Sequence, residues 1–291
     1  MTTTAIRYVH LDVFSDRPYG GNSLAVFPNA VGLNGMQMLQ ITQEMRHFES
    51  IFLEPTDDPY CFRTRVFDLV EELPFAGHPL VGAAATLHRQ VGSIPEARWK
   101  FLLGRREVEV STRCFGPNSY SGLMDQGRPV IGSLVDDRHE IAASFRLEPQ
   151  DLAEALPIQV ISTGLRYLVV PVRQEALARA SIARDISPLV AKCGAEYAVI
   201  LSENLDEIRH WTNDGSLEDS ATGSAAGTIA AYALHHGLVE AGKFFRLSQG
   251  RFVGRPSTLN LRPTGSAGAV EKVEIEGHVA FVGSGELEVI P

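Results

Sequence analysis

Basic residues are in short supply. The chain carries 26 Lys and Arg against 35 Asp and Glu, a net charge of −9. That balance argues against nucleic acid or an anionic membrane as the main partner, because both demand a basic face. No apolar run is long enough to cross a bilayer. The stretch Met1-Thr2-Thr3-Thr4-Ala5-Ile6-Arg7 lacks the basic start and apolar core of a signal peptide, so a cytoplasmic location is expected. Cysteine is scarce too. Cys61, Cys114 and Cys193 are isolated, form no C-x-x-C pair and read as small buried hydrophobes. There is no G-x-G-x-x-G fingerprint, no H-E-x-x-H and no G-x-S-x-G elbow. His235-His236 are adjacent, point apart on a helix and make a poor metal site. The expectation is chemistry with no cofactor and no metal.

What the chain does have is a pair of look-alike segments. Phe75-Ala76-Gly77-His78-Pro79 and Asp219-Ser220-Ala221-Thr222-Gly223-Ser224 are Gly-containing turns, and each opens into a run of Ala and Gly. Small residues all round a helix let strands approach from every side, as an enclosed helix requires. Around each turn the chain reads as strands. In the first half these lie near Tyr8–Phe14, Leu24–Phe27, Ser50–Leu53, Phe62–Phe67, Trp99–Leu103 and Val108–Thr112. In the second they lie near Ile158–Ser162, Tyr167–Val172, Ala198–Leu201, Phe244–Gln249, Leu259–Leu261 and Val273–Val282. An amphipathic helix with Asn34 as N-cap is expected up to Met45. Arg65-Val66-Phe67 and Arg209-His210-Trp211 stand in nearly matching places. The pattern is that of an old duplication, two strand meanders each wound about one helix. The predicted division is 1–120, joined by the tail 280–291, and 121–279.

Two such turns present helix N-termini, which favour a small anion. Gly77, Gly223 and Ser224 are the candidate anion-holding residues. His78 stands at the first helix entrance as a hydrogen-bond donor or a simple cap. Asp219 stands at the second, as a proton-handling group or an N-cap. Glu49, flanked by Phe48 and Ile51, is either a partly desolvated base or a solvated loop carboxylate. The stretch Gly250-Arg251-Phe252-Val253-Gly254-Arg255-Pro256-Ser257 lacks a G-K-[ST] ending and reads as a hairpin or loop, with Arg255 as an anion contact.

Gly21-Asn22, Glu49-Ser50, Glu72 to Pro79, Glu218 to Gly227 and Gly254 to Ser257 together resemble the phenazine-biosynthesis PhzF family, with the motifs in matching order. The resemblance implies the diaminopimelate-epimerase-like α+β fold. Its two similar halves are each a β-barrel about a central helix, with the active site in the cleft between them. It also implies a homodimer and cofactor-free isomerisation of a small carboxylate, of the kind that converts trans-2,3-dihydro-3-hydroxyanthranilate. Glu49 would be the base, His78 and Asp219 its helpers, and Asn22 and Phe48 would contact substrate. Three departures reshape the pocket: Phe48 where Ser is common, Ser220 where Pro is usual, and Ser23 in place of Pro. Racemases of this fold use two cysteines at the turns, and here those places hold Ala76 and Ala221. The alternatives are a two-base epimerase that uses no cysteine, and a binding protein that has kept the fold.

Overall fold

The computed structural model describes residues 5–92, 94–104 and 106–291, so the first four residues of the N-terminal stretch read above lie outside it. Two compact units emerge, Met1–Asp125 with Glu276–Pro291, and Gln126–Ile275.

The first unit runs β1 (Ile6–Val13), β2 (Asn22–Phe27), α1 (Gly35–Met45), β3 (Glu49–Pro55), β4 (Cys61–Phe67) and β5 (Glu72–Leu73). It continues with α2 (Gly77–Val91), β6 (Glu96–Leu103), β7 (Arg106–Gly116) and β8 (Ser119–Gly127). Strands pair in the order β1-β2-β3-β4-β6-β7-β8, and the C-terminal strand β16 (Ala269–Leu287) lies next to β8 and also pairs with β1. That closes a barrel. The α2 helix packs on β1, β2, β3, β6 and β7 and is buried without a break from Gly77 to His88. A Cβ on Gly82 would lie 2.5 Å from Leu24 Cδ2 and 2.9 Å from Leu11 Cδ1, so strand and helix approach to a distance only glycine allows. Outside the barrel, Met38 and Ile41 of α1 cover Ala25, Phe27, Phe52 and Phe67.

The α1 helix begins as its sequence demands. Asn34 and Gln37 exchange side-chain and backbone hydrogen bonds of 3.0 and 3.1 Å in a capping box. It ends at Arg46, a non-glycine residue at φ 56°, and the chain then turns through His47 and Phe48 into β3.

The second unit contains β9 (Val130–Leu134), α3 (Arg138–Ser144), β10 (Gln159–Ser162), β11 (Arg166–Val172), α4 (Gln174–Leu177), α5 (Ser187–Lys192), β12 (Tyr197–Ser202) and β13 (Ile208–His210). These strands form one sheet in the order β13-β12-β11-β10-β9. Then come α6 (Gly223–His235), β14 (Phe245–Gln249), β15 (Ser257–Ser266) and the first part of β16. A bridge from Glu207 to Ser248 joins the two sets of strands. The α6 helix packs on β10, β11 and β15 and is buried at nearly every position. Gly227 lets the Gln126 side chain lie against it, since a Cβ there would meet Gln126 Oε1 at 1.8 Å. On the other face of the sheet, Leu168, Val170 and Val172 alternate into a core with Ile141, Phe145 and Trp211. Gly237, at φ 68°, follows the α6 C-cap.

The strand meander expected for each half is corrected in both. β2 and β3 are parallel, as are β4 and β6, and β11 and β12. A parallel pair needs a crossover rather than a hairpin, and α1, α2 and the α4–α5 segment supply the three crossovers.

Candidate active site

Glu49 is not a loop residue. It opens β3 opposite Leu24 of β2. Leu24 faces α2, so the alternation of the strand turns Glu49 toward the helix and Ser50 away from it. His78 is the second residue of α2, and its Nδ1 lies 3.6 Å from Glu49 Oε2. Both side chains are nearly enclosed, 6% exposed for His78 and 13% for Glu49. The helix starts at Gly77 after an extended Ala76, which offers no capping side chain. Pro79 is therefore the third helical residue. Asn22 is buried at the start of β2 behind Gly21, which admits no side chain: its φ is 61°, and a Cβ there would lie 2.2 Å from Val13 O. Phe48 is partly buried. Ser23 places its hydroxyl between His10 Nε2 at 3.0 Å and His47 Nδ1 at 2.8 Å, a bridge that proline could not form.

In the second unit Asp219 is buried, and the N-cap of the helix is Thr222, three residues further on. The expectation of Asp219 as a simple N-cap is thereby corrected. Its Oδ1 accepts from Ala221 N–H at 3.3 Å and its Oδ2 from the Thr222 hydroxyl at 2.5 Å. Gln249, 1% exposed, accepts from Thr222 N–H at 2.8 Å. Its amide nitrogen donates to Asp219 O and to Thr222 Oγ1, both at 2.9 Å. Ser224, second in α6, shares a 2.8 Å hydrogen bond with Tyr167. Gly223 opens the helix and is buried.

The segment that follows Gln249 is a short 3-10 turn, Arg251–Val253, bracketed by Gly250 at φ 83° and Gly254 at φ 73°. It joins β14 to β15 and packs under the Asp219 turn. A Cβ on Gly250 would lie 2.4 Å from Ser220 O, and Ser257 donates to that carbonyl at 2.7 Å.

His210 also lies by this turn, with its carbonyl accepting from Asp219 N–H at 2.9 Å. Its ring is set by Ala198 O, 2.9 Å from Nδ1. A carbonyl only accepts, so Nδ1 carries the proton. Burial pushes the imidazole below its ordinary value, against the opposing pull of the Asp219 charge and the Ala198 carbonyl. Tyr167, His210, Thr222 and Gln249 were not singled out from the sequence. The alternation that puts Leu168 and Val170 on one face of β11 puts Tyr167 on the other, and this was the one signal present.

Among the described residues no group of three or more His, Cys, Asp or Glu is placed to hold a metal ion. No described helix is long and apolar enough to cross a membrane.

A profile of the family described as phenazine biosynthesis-like protein, PhzC-PhzF, matches residues 11–285. The chain belongs to the PhzF family. A Pasteurella multocida protein described as an uncharacterized isomerase is 31% identical over 294 residues, which cover 98% of this chain and 95% of that one. The trans-2,3-dihydro-3-hydroxyanthranilate isomerase of Pseudomonas aeruginosa is 30% identical over 302 residues, covering 96% and 98%. A solved Pseudomonas aeruginosa structure, described as a "Predicted Epimerase", is 44% identical with a TM-score of 0.90, covering 97% of this chain and 99% of that one. With such relatives along nearly its whole length, this PhzF-family chain is an isomerase. Its fold is the diaminopimelate-epimerase-like one, strands about a small-residue helix in each half.

Proposed function

We propose that the protein moves a proton within a small conjugated carboxylate without a cofactor, using Glu49 as the base. The observation that carries this reading is the enclosed Glu49–His78 pair at the start of α2. A carboxylate held out of bulk water and aimed by a strand end is a stronger, better positioned base than a surface one. Glu49 takes a proton from carbon, the electron pair spreads into the conjugated system, and the same proton returns at another carbon. His78 donates to the substrate as that charge develops, and Asp219 is the second proton-handling group. Backbone N–H groups at Gly77 in the first unit, and at Gly223 and Ser224 in the second, each stand at a helix N-terminus, where an anion such as a substrate carboxylate is favoured. Asn22 and Phe48 contact the substrate, and the apolar Phe48 selects a substrate with an apolar edge where a Ser would bind a polar one.

The first compound to try is trans-2,3-dihydro-3-hydroxyanthranilate, the substrate in the name of the Pseudomonas aeruginosa relative. Incubation in D₂O followed by NMR reads both conversion and label. Wild-type protein should convert a compound of this class, and Glu49→Gln should lose about 100-fold or more of the rate while binding and melting temperature hold. A fully active Glu49→Gln variant removes Glu49 as the base. The same reading makes the protein a homodimer, checked by sedimentation of the purified chain.

The 44% identical structure described as an epimerase favours a second reading, inversion of a carbon by two bases. Solvent deuterium separates the two. Internal return of one proton leaves the product almost unlabelled, whereas two bases wash deuterium in.

A further inference from the structure

We propose that Gln249, acting through Thr222, is the positioning residue that fixes the Asp219 carboxylate for reaction; this rests on Asp219 having the role proposed above. Threonine at an N-cap normally accepts from an N–H of the first helical turn. Thr222 makes no such bond. Its single hydroxyl proton goes to Asp219 Oδ2, and its oxygen is occupied by a proton from Gln249 Nε2. The amide therefore decides which way that hydroxyl points. The rest of the Gln249 amide is spent on the same turn: its other proton goes to Asp219 O, and its oxygen takes Thr222 N–H. Three of its bonds thus end on two residues, Asp219 and Thr222, that lie 30 and 27 positions away.

The arrangement is polar in direction. Only a side chain with two donors and an acceptor on one planar group can hold the Asp219 carbonyl, the Thr222 amide and the Thr222 oxygen together. It is also rigid. Gln249 ends β14 and is followed by Gly250, whose backbone packs within van der Waals contact of Ser220. The carboxylate is thus held by a chain of donors that begins in the sheet, well removed in sequence from the turn it serves. Hydrogen bonds to a charged group are among the stronger ones in proteins, so releasing this one frees the carboxylate to leave its reactive orientation.

The test uses four variants, with turnover of trans-2,3-dihydro-3-hydroxyanthranilate and a crystal structure of each. Thr222→Val removes the hydroxyl at constant shape, Thr222→Ser keeps it, Gln249→Met removes the amide, and Asp219→Asn calibrates the loss. We expect Thr222→Val and Gln249→Met to lower kcat by about 10- to 100-fold with KM changed by less than about threefold. Thr222→Ser should restore kcat to within about threefold of wild type. In the crystals the Asp219 carboxylate should rotate away in Thr222→Val and stay in Thr222→Ser. Should Thr222→Val fold poorly, Gln249→Met makes the same demand. An Asp219 carboxylate that keeps its wild-type orientation in both Thr222→Val and Gln249→Met overturns the inference, whether or not this compound is turned over. Unchanged kcat in both, with Asp219→Asn inactive, overturns it while leaving the role of Asp219 intact. A fully active Asp219→Asn instead removes the role of Asp219 on which the inference rests.

Discussion

The imidazole of His78 lies beside the carboxylate of Glu49, Nδ1 to Oε2 3.6 Å, although one side chain comes from the first turn of a helix and the other from the first residue of a strand. Both are placed by element ends. Ala76 leads the backbone into α2 without a capping side chain, and the left-handed Arg46 turns the chain after α1 toward β3. The pair is a consequence of where two elements begin.

Removing the imidazole should therefore cost rate rather than fold. His78→Phe fills the space and abolishes hydrogen bonding. The expected outcome is a kcat/KM lowered by about 100-fold or more at nearly unchanged melting temperature. His78→Gln, which keeps a donor at similar reach, should lose less. Steady-state kinetics beside a thermal melt checks this, and equal losses in the two variants would show that shape, not hydrogen bonding, is what His78 supplies.

Arg65 and Arg209 form the same motif with unequal strength. Arg65 pairs with Glu72 through two hydrogen bonds, and Arg209 pairs with Glu218 in the same way. Each stacks on the aromatic residue two positions on, Phe67 or Trp211. The first pair is 36% and 42% exposed, the second 9% and 10%. Arg209 also reaches Leu177 O and Ala180 O at 2.9 and 2.8 Å and lies over Phe252. Breaking a buried pair from one side strands a charge and costs about 3–5 kcal/mol, whereas an exposed pair contributes about 0–1 kcal/mol. Arg209→Met should therefore move the urea midpoint far more than Arg65→Met. Comparable shifts would mean that the motif, not its burial, sets the stability.

The two central helices were legible because their composition is their packing requirement: Gly82 and Gly227 are small where Leu24 and Gln126 press against them. Arg65 and Arg209 were legible as counterparts because the local order Arg-x-aromatic survived in both. The parallel strand pairs were hidden, since no residue of β3 specifies that β2 should run beside it in the same direction. Val130–Leu134 escaped because β9 is an edge strand with most of its side chains exposed, so it shows no alternation. The place of Asp219 was legible from its motif but its bonding was not. Thr222 and Gln249 are 27 positions apart, and nothing local to either announces the other.

His210 makes stability depend on pH in a definite direction. Its ring is buried, donates from Nδ1 to Ala198 O, and has its pKa lowered from 6.5 chiefly by burial. In the unfolded chain the same imidazole titrates near 6.5. Below that pH the unfolded chain takes up a proton that the native chain refuses, so stability is full above 6.5 and declines as the pH falls toward the native value. One histidine contributes a slope of at most about 1.4 kcal/mol per pH unit in that window. His236 is lowered by burial and by His235, and acts in the same sense. His210→Asn keeps a donor for Ala198 O and cannot titrate. Urea midpoints measured from pH 8 down to 5 should fall more steeply for wild type than for His210→Asn. Curves that remain parallel throughout would show that His210 takes up its proton equally well folded and unfolded, against the burial that surrounds it.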